Sequence, residues 1–167
     1  LMDTALAPEQ RSYADTIRQC GEALLQLIND VLECSKIEAG KLQLERIDFN
    51  LRTTVEEVLA QFAERAEAKG LELTGLVHAT VPTGLEGDPG RLRQVLTNLI
   101  GNAIKFTPAG GTVNLRIGSP EPGRVHFMVT DTGIGIDPTK LGTLFKPFIQ
   151  MDSGLNRSNS GFGLGLA

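Results

Sequence analysis

Asn98, Asn102 and Lys105 lie in the stretch LRQVLTNLIGNAIKFT at i, i+4 and i+7, so a helix there carries all three on one face. Asparagine is a poor helix former, and an amide taken out of water needs hydrogen-bond partners. Two readings are open: a solvated polar stripe, or a seam facing a ligand. In the second, Asn offers an uncharged oxygen to a cation or its water, and Lys offers charge to a phosphate. The stretch VTDTGIGID adds Asp131, a buried-looking acid where a strand leaves its sheet, followed by Gly133 and Gly135. Two glycines at that point let a planar group approach the backbone, and the carboxylate can accept from an exocyclic amine. In SGFGLGLA, Gly161, Gly163 and Gly165 alternate with Phe162 and Leu164. Backbone N–H groups in such a turn make an anion cradle at a helix N-terminus. The turn lacks the Gly-Lys-Ser/Thr of the common phosphate-binding loop and the strand context of a dinucleotide fingerprint.

The elements that must hold these groups follow from periodicity. Residues 9–38 read as one helix: Pro8 suits its first turn, and Ile17, Gly21, Leu24, Ile28, Val31 and Ser35 recur at three- and four-residue steps. Leu25, Leu27 and Leu32 widen that stripe, and Gly40 ends the helix. KLQLERIDFN alternates like a strand. A helix starts at Asn50, turns Val55, Val58, Leu59 and Phe62 inward, and stops at Gly70. LELTGLVHA reads as a strand. Asp88 and Pro89 open the helix 89–106, in which Leu92, Val95, Leu96, Leu99, Ile100, Ala103 and Ile104 are the apolar positions. TVNLRIGS and RVHFMVTD form a hairpin around PEPG, and Asp137-Pro138 starts a short helix. The hairpin excludes an all-parallel sheet. The expected fold is α+β: a two-layer α/β sandwich, its mixed sheet covered on one face by helices and preceded by a long helix.

With 167 residues, 41% hydrophobic and 22% charged, the chain can bury a core. A net charge of −4 argues against a nucleic-acid partner. No apolar run approaches the roughly 18 residues of a membrane span. Cys20 and Cys34, fourteen residues apart on the first helix, are separated by about 21 Å of helical rise. They cannot bridge each other, and read as small apolar helix positions in a reducing compartment.

Taken together, the motifs resemble those of the sensor histidine kinases of two-component signalling, and more distantly the ATPase superfamily of DNA gyrase, mismatch-repair ATPases and heat-shock chaperones. LRQVLTNLIGNAIKFT resembles the asparagine box, DTGIGI the first glycine box, LFKPFIQMD the phenylalanine box and GFGLGLA the second glycine box. LINDVLECSKIEAGKLQLE resembles the second dimerisation helix and linker of hybrid kinases. The resemblance divides the chain into residues 1–40, a partial dimerisation and phosphoacceptor domain, and residues 41–167, a C-terminally incomplete ATP-binding catalytic domain.

The resemblance implies ATP and Mg²⁺ as cofactors. Asn98 would hold the metal between the phosphates, with Asn102 and Lys105 near phosphate and ribose; Asn98 and Lys105 are the catalytic candidates. Asp131 would accept from the adenine amine, with Gly133 and Gly135 lining the base. Phe145 and Phe148 would anchor a lid, Arg157 would reach a phosphate as it closes, and Gly161, Gly163 and Gly165 would wrap the phosphates. The implied partners are a second copy, joined through the helical bundle, and a response regulator or receiver domain. The implied location is cytoplasmic, any inner-membrane anchor lying in other parts of the parent. The resemblance also implies that the phosphoacceptor histidine lies on the first dimerisation helix, upstream of residue 1; His78 and His126, which fall on strand surfaces, do not replace it. Phe162 departs from the small residues usual in the second glycine box. A rival reading is a non-catalytic nucleotide-binding or dimerisation module. A gyrase-like hydrolase fits less well, since no acid stands between Asp88 and Asn98 to activate a water.

Overall fold

The computed structural model describes residues 7–144 apart from Pro122. The chain divides into two units, Leu1–Leu42 and Gln43–Ala167.

The first unit is built on α1, Pro8–Glu38. Pro8 sits in its first turn, and the Gln10 side-chain oxygen accepts from the Ala7 N–H at 3.1 Å. Gly40, at φ +63°, turns the chain out of the helix. The apolar stripe is exposed: Ile17 is 72%, Leu24 57% and Ile28 48% accessible. Cys20 is exposed too, not packed as a small apolar residue; the side chain of Cys34 lies outside the described residues.

The second unit runs β1 (Ile47–Asn50), α2 (Leu51–Ala68), β2 (Glu72–Val77), β3 (Gly84–Gly87), α3 (Pro89–Phe106), β4 (Thr112–Gly118), β5 (His126–Asp131) and a 3₁₀ turn, Pro138–Thr143. β2 is parallel to β4, and β4 is antiparallel to β5, giving the expected mixed sheet. β1 and β3 form a separate antiparallel ladder. The alternating stretch before Ile47 is not strand. The partner of β1, β3, is only four residues long, so the ladder stops where Ile47 meets Gly87.

One face of the three-stranded sheet is covered. Val113, Leu115 and Ile117 of β4 are buried against Val55, Val58 and Phe62 of α2 and Leu96, Ile100 and Ile104 of α3. Gly75 lets α2 settle: a Cβ there would collide with the Leu59 side chain. Val95, expected among the apolar positions of α3, is 54% exposed on its outer side. On the sheet's other face Leu76, Arg116 and Met128 stand in one cross-strand row, all exposed.

Local caps set both helix starts. The Asn50 side chain accepts from Thr53 N–H at 3.2 Å. Asp88 accepts from Arg91 N–H at 2.9 Å and, with its other oxygen, from Glu45 N–H at 3.2 Å. The Arg91 N–H bond is the main reason that its carboxyl lies below the usual Asp range.

Candidate nucleotide site

The polar residues of α3 are half-buried: Asn98, Asn102 and Lys105 all lie between the core side of the helix and solvent. Neither asparagine side chain has a hydrogen-bond partner among the described residues, although the helix leaves each with a full amide to satisfy. The Lys105 ammonium lies 4.9 Å from the centre of the Phe106 ring, a cation–π distance.

The glycine loop after β5 meets the C-terminal end of α3. The Ile134 N–H donates to the Phe106 carbonyl at 3.3 Å. At Gly133 a Cβ would lie 2.8 Å from that same carbonyl oxygen and 2.6 Å from Asp131 Oδ1, so any larger residue must push the loop away from the helix. Gly135 is at φ +71°, where side chains other than glycine are strained. The two glycines therefore have different tasks: the first admits a helix end, and the second makes the turn.

Asp131 is exposed, where its sequence position reads as buried. Strand alternation does put it on the covered face, opposite Val113, but β5 ends there. One carboxylate oxygen accepts from Gly133 N–H at 2.8 Å. The other has no partner among the described residues. Asp131 thus presents a held carboxylate with one open acceptor, beside the helix end that carries Lys105.

The last carbonyls of α3 are closed from three directions. A helix leaves four such groups without internal partners. Thr107, fully buried, returns both its N–H (3.0 Å) and its hydroxyl (2.7 Å) to the Ala103 carbonyl. The Lys69 ammonium, from the end of α2, donates to the carbonyls of Ile104 at 2.7 Å and Lys105 at 2.8 Å. Ile134 takes the Phe106 carbonyl. Lys69 lies in none of the motif stretches, and Thr107 only closes one of them. Their only trace in the sequence is a basic residue beside the helix-ending Gly70 and a threonine after the last helical residue.

His78 lies just past β2 rather than on it, with its ring Nδ1 2.8 Å from the Thr80 hydroxyl. His126 opens β5, exposed. Phe145, Phe148, Arg157, Gly161, Gly163 and Gly165 lie outside the described residues. Among the described residues no helix is long and apolar enough to cross a membrane.

Residues 87–167 match the family of histidine kinase-, DNA gyrase B- and HSP90-like ATPases, and residues 1–40 match the His Kinase A phospho-acceptor domain. The chain is 46% identical over 169 residues to the sensor protein GacS of Pseudomonas syringae, covering 99% of this chain and 19% of that protein. It is 45% identical over 168 residues to the signal transduction histidine-protein kinase BarA of Escherichia coli, covering 99% and 18%. The chain thus spans about a fifth of the length of these curated relatives. A crystal structure of full-length ShkA in complex with AMPPNP matches at a TM-score of 0.81 and 39% identity, over 99% of this chain and 34% of that one. The histidine kinase AdeS of Acinetobacter baumannii matches at 0.72 and 26%, over 99% and 74%. With a phospho-acceptor match at one end, an ATPase match at the other and sensor kinases as its relatives, the chain belongs to the sensor histidine kinase family.

Proposed function

We propose that this chain is the ATP-binding catalytic part of a sensor histidine kinase, with the second helix of its dimerisation and phosphoacceptor domain. The parent moves the γ-phosphoryl group of ATP to a histidine and then to a response-regulator aspartate. The observation that carries this reading is the bond from Ile134 N–H to the Phe106 carbonyl. It joins the loop holding Asp131 to the helix holding Asn98, Asn102 and Lys105, so one corner of the unit offers an adenine acceptor and phosphate-side groups together.

The residues present fit ATP. Asp131 has an acceptor oxygen open to the adenine amine, with Gly133 and Gly135 beside it for the flat base. The asparagine amides, without partners among the described residues, suit phosphate, ribose and hydrated metal, and Lys105 adds a positive charge. Asn98 is the residue that would hold Mg²⁺, which when bound offsets phosphate charge. In phosphoryl transfer the protein mainly positions the reacting groups and offsets charge, and a site of amides, glycines and one ammonium does that. Phe145, Phe148 and Arg157 would serve a lid, and Gly161, Gly163 and Gly165 would contact the phosphates. The exposed stripe of α1, with Ile17, Leu24 and Ile28 uncovered, supports a homodimer through a helical bundle.

Asp131→Asn is the direct test. It replaces a charged acceptor, and hydrogen bonds to charged groups contribute about 1.5–3 kcal/mol. Calorimetry should show ATP affinity falling at least about tenfold, with binding of inorganic triphosphate little changed. Equal ATP affinity in both proteins removes Asp131 from the adenine site.

A further inference from the structure

Lys69 has a reach that its place in the sequence does not announce. It is the C-cap of α2, and its side chain crosses to a different helix 35 residues away. Its ammonium holds two successive carbonyls at the end of α3, Ile104 and Lys105, at 2.7 and 2.8 Å. A cation there also meets the negative end of the helix dipole. The next carbonyl along, that of Phe106, receives Ile134 N–H from the glycine loop, and the loop leaves Gly133 no room for a side chain. The orientation of the Phe106 carbonyl therefore depends on a last turn that Lys69 fixes, and the loop carrying Asp131 rests on that carbonyl.

We propose that Lys69 is a positioning residue for nucleotide binding, acting through the last turn of α3 on both Lys105 and the Asp131–Gly133 loop; this rests on the reading of that corner as the ATP site. Removing the ammonium takes from the part-buried carbonyls of Ile104 and Lys105 the side-chain donor they have among the described residues. The turn then has reason to rotate toward water, and the loop loses its fixed acceptor. The substitution Lys69→Arg keeps a charged donor of similar reach, whereas Lys69→Met keeps only the apolar stem.

The test compares Lys69→Met, Lys69→Arg and Asp131→Asn in the whole chain, at a temperature where chemical denaturation shows each more than about 99% folded. ATP binding is read by calorimetry, and the amide resonances of Gly133 and Ile134 by NMR. Lys69→Met should weaken ATP binding about tenfold and shift or broaden both resonances, while Lys69→Arg binds within about threefold of the parent chain. A residue that only adds stability would leave those resonances in place in the folded population. Unchanged affinity and unchanged Gly133 and Ile134 signals in folded Lys69→Met overturn the proposal. If Lys69→Met does not fold, Lys69→Gln takes its place with the same criteria. If Asp131→Asn binds ATP as tightly as the parent chain while Lys69→Met does not, the adenine assignment fails and the positioning role stands. The reverse result keeps the site and removes Lys69 from it.

Discussion

α1 and α3 carry apolar stripes of similar spacing, and they end in opposite environments. In α3, Leu96, Ile100 and Ile104 are fully buried against β4 and α2. In α1, Ile17, Leu24 and Ile28 are largely exposed. The difference teaches that periodicity reports a helix with a face to cover, and leaves open what covers it. α3 finds its cover within its own unit. On the dimer reading proposed above, a second helix hairpin covers α1.

The sharpest way to break this contrast is to remove volume from the covered stripe. Ile100→Ala should lower the unfolding free energy of the second unit by about 2–5 kcal/mol, seen as a lower urea midpoint with unchanged slope. A change below about 1 kcal/mol would mean that the α3 core is looser than its burial implies. Next in size is the end of the same helix. Gly133→Ala puts a methyl group against the Phe106 carbonyl and should cost about 1–3 kcal/mol, together with a loss of ATP affinity of about tenfold. An alanine variant of parental stability and affinity would show that the loop does not rest on the helix.

A smaller effect concerns the start of α3. The Asp88 carboxyl is held below the usual Asp range chiefly by the Arg91 N–H bond. A lowered native value means that the unfolded chain takes up the proton first as pH falls. The stabilisation is therefore complete above about pH 4 and is lost as pH drops through the lowered native value. The urea midpoint of the parent chain should fall more steeply on acidification below about pH 4 than that of Asp88→Ala. Parallel curves would remove the cap as the source. The smallest expected change is in α1: Ile28→Ala should alter unfolding of the second unit by less than about 0.5 kcal/mol. Sedimentation should nevertheless show weaker self-association. If Ile28→Ala destabilises the second unit as Ile100→Ala does, the contrast between the two stripes is wrong.

The long elements were legible because local signals agreed. Asp88 and Pro89 started α3 as their chemistry requires, Gly40 and Gly70 closed α1 and α2 at positive φ, and the PEPG hairpin ruled out a parallel sheet. β3 was not legible. Gly84–Gly87 contributes two glycines and one large apolar residue, and becomes a strand only because β1 pairs with it from beyond the whole of α2 and β2, Ile47 opposite Gly87 and Asn50 opposite Gly84. Asp131, Asn98 and Asn102 of the candidate site stand out in the sequence by type and spacing. Lys69 does not, since nothing local shows that its ammonium reaches a helix 35 residues on. Asp131 was misread as buried because alternation tells which face a residue joins, and says nothing of where the cover stops.

The uncovered face of the sheet bears on how the chain stays in solution. Leu76 and Met128 are 58% and 52% exposed and flank Arg116 on the strand between them. An apolar residue at that position would join the two into a three-residue apolar row on a face whose other positions, Thr74, Asn114 and Thr130 among them, are polar. Arg116 splits that row at its middle. A charge placed between two exposed apolar residues on neighbouring strands is the arrangement of a gatekeeper residue, which breaks an apolar patch before it can stack on another.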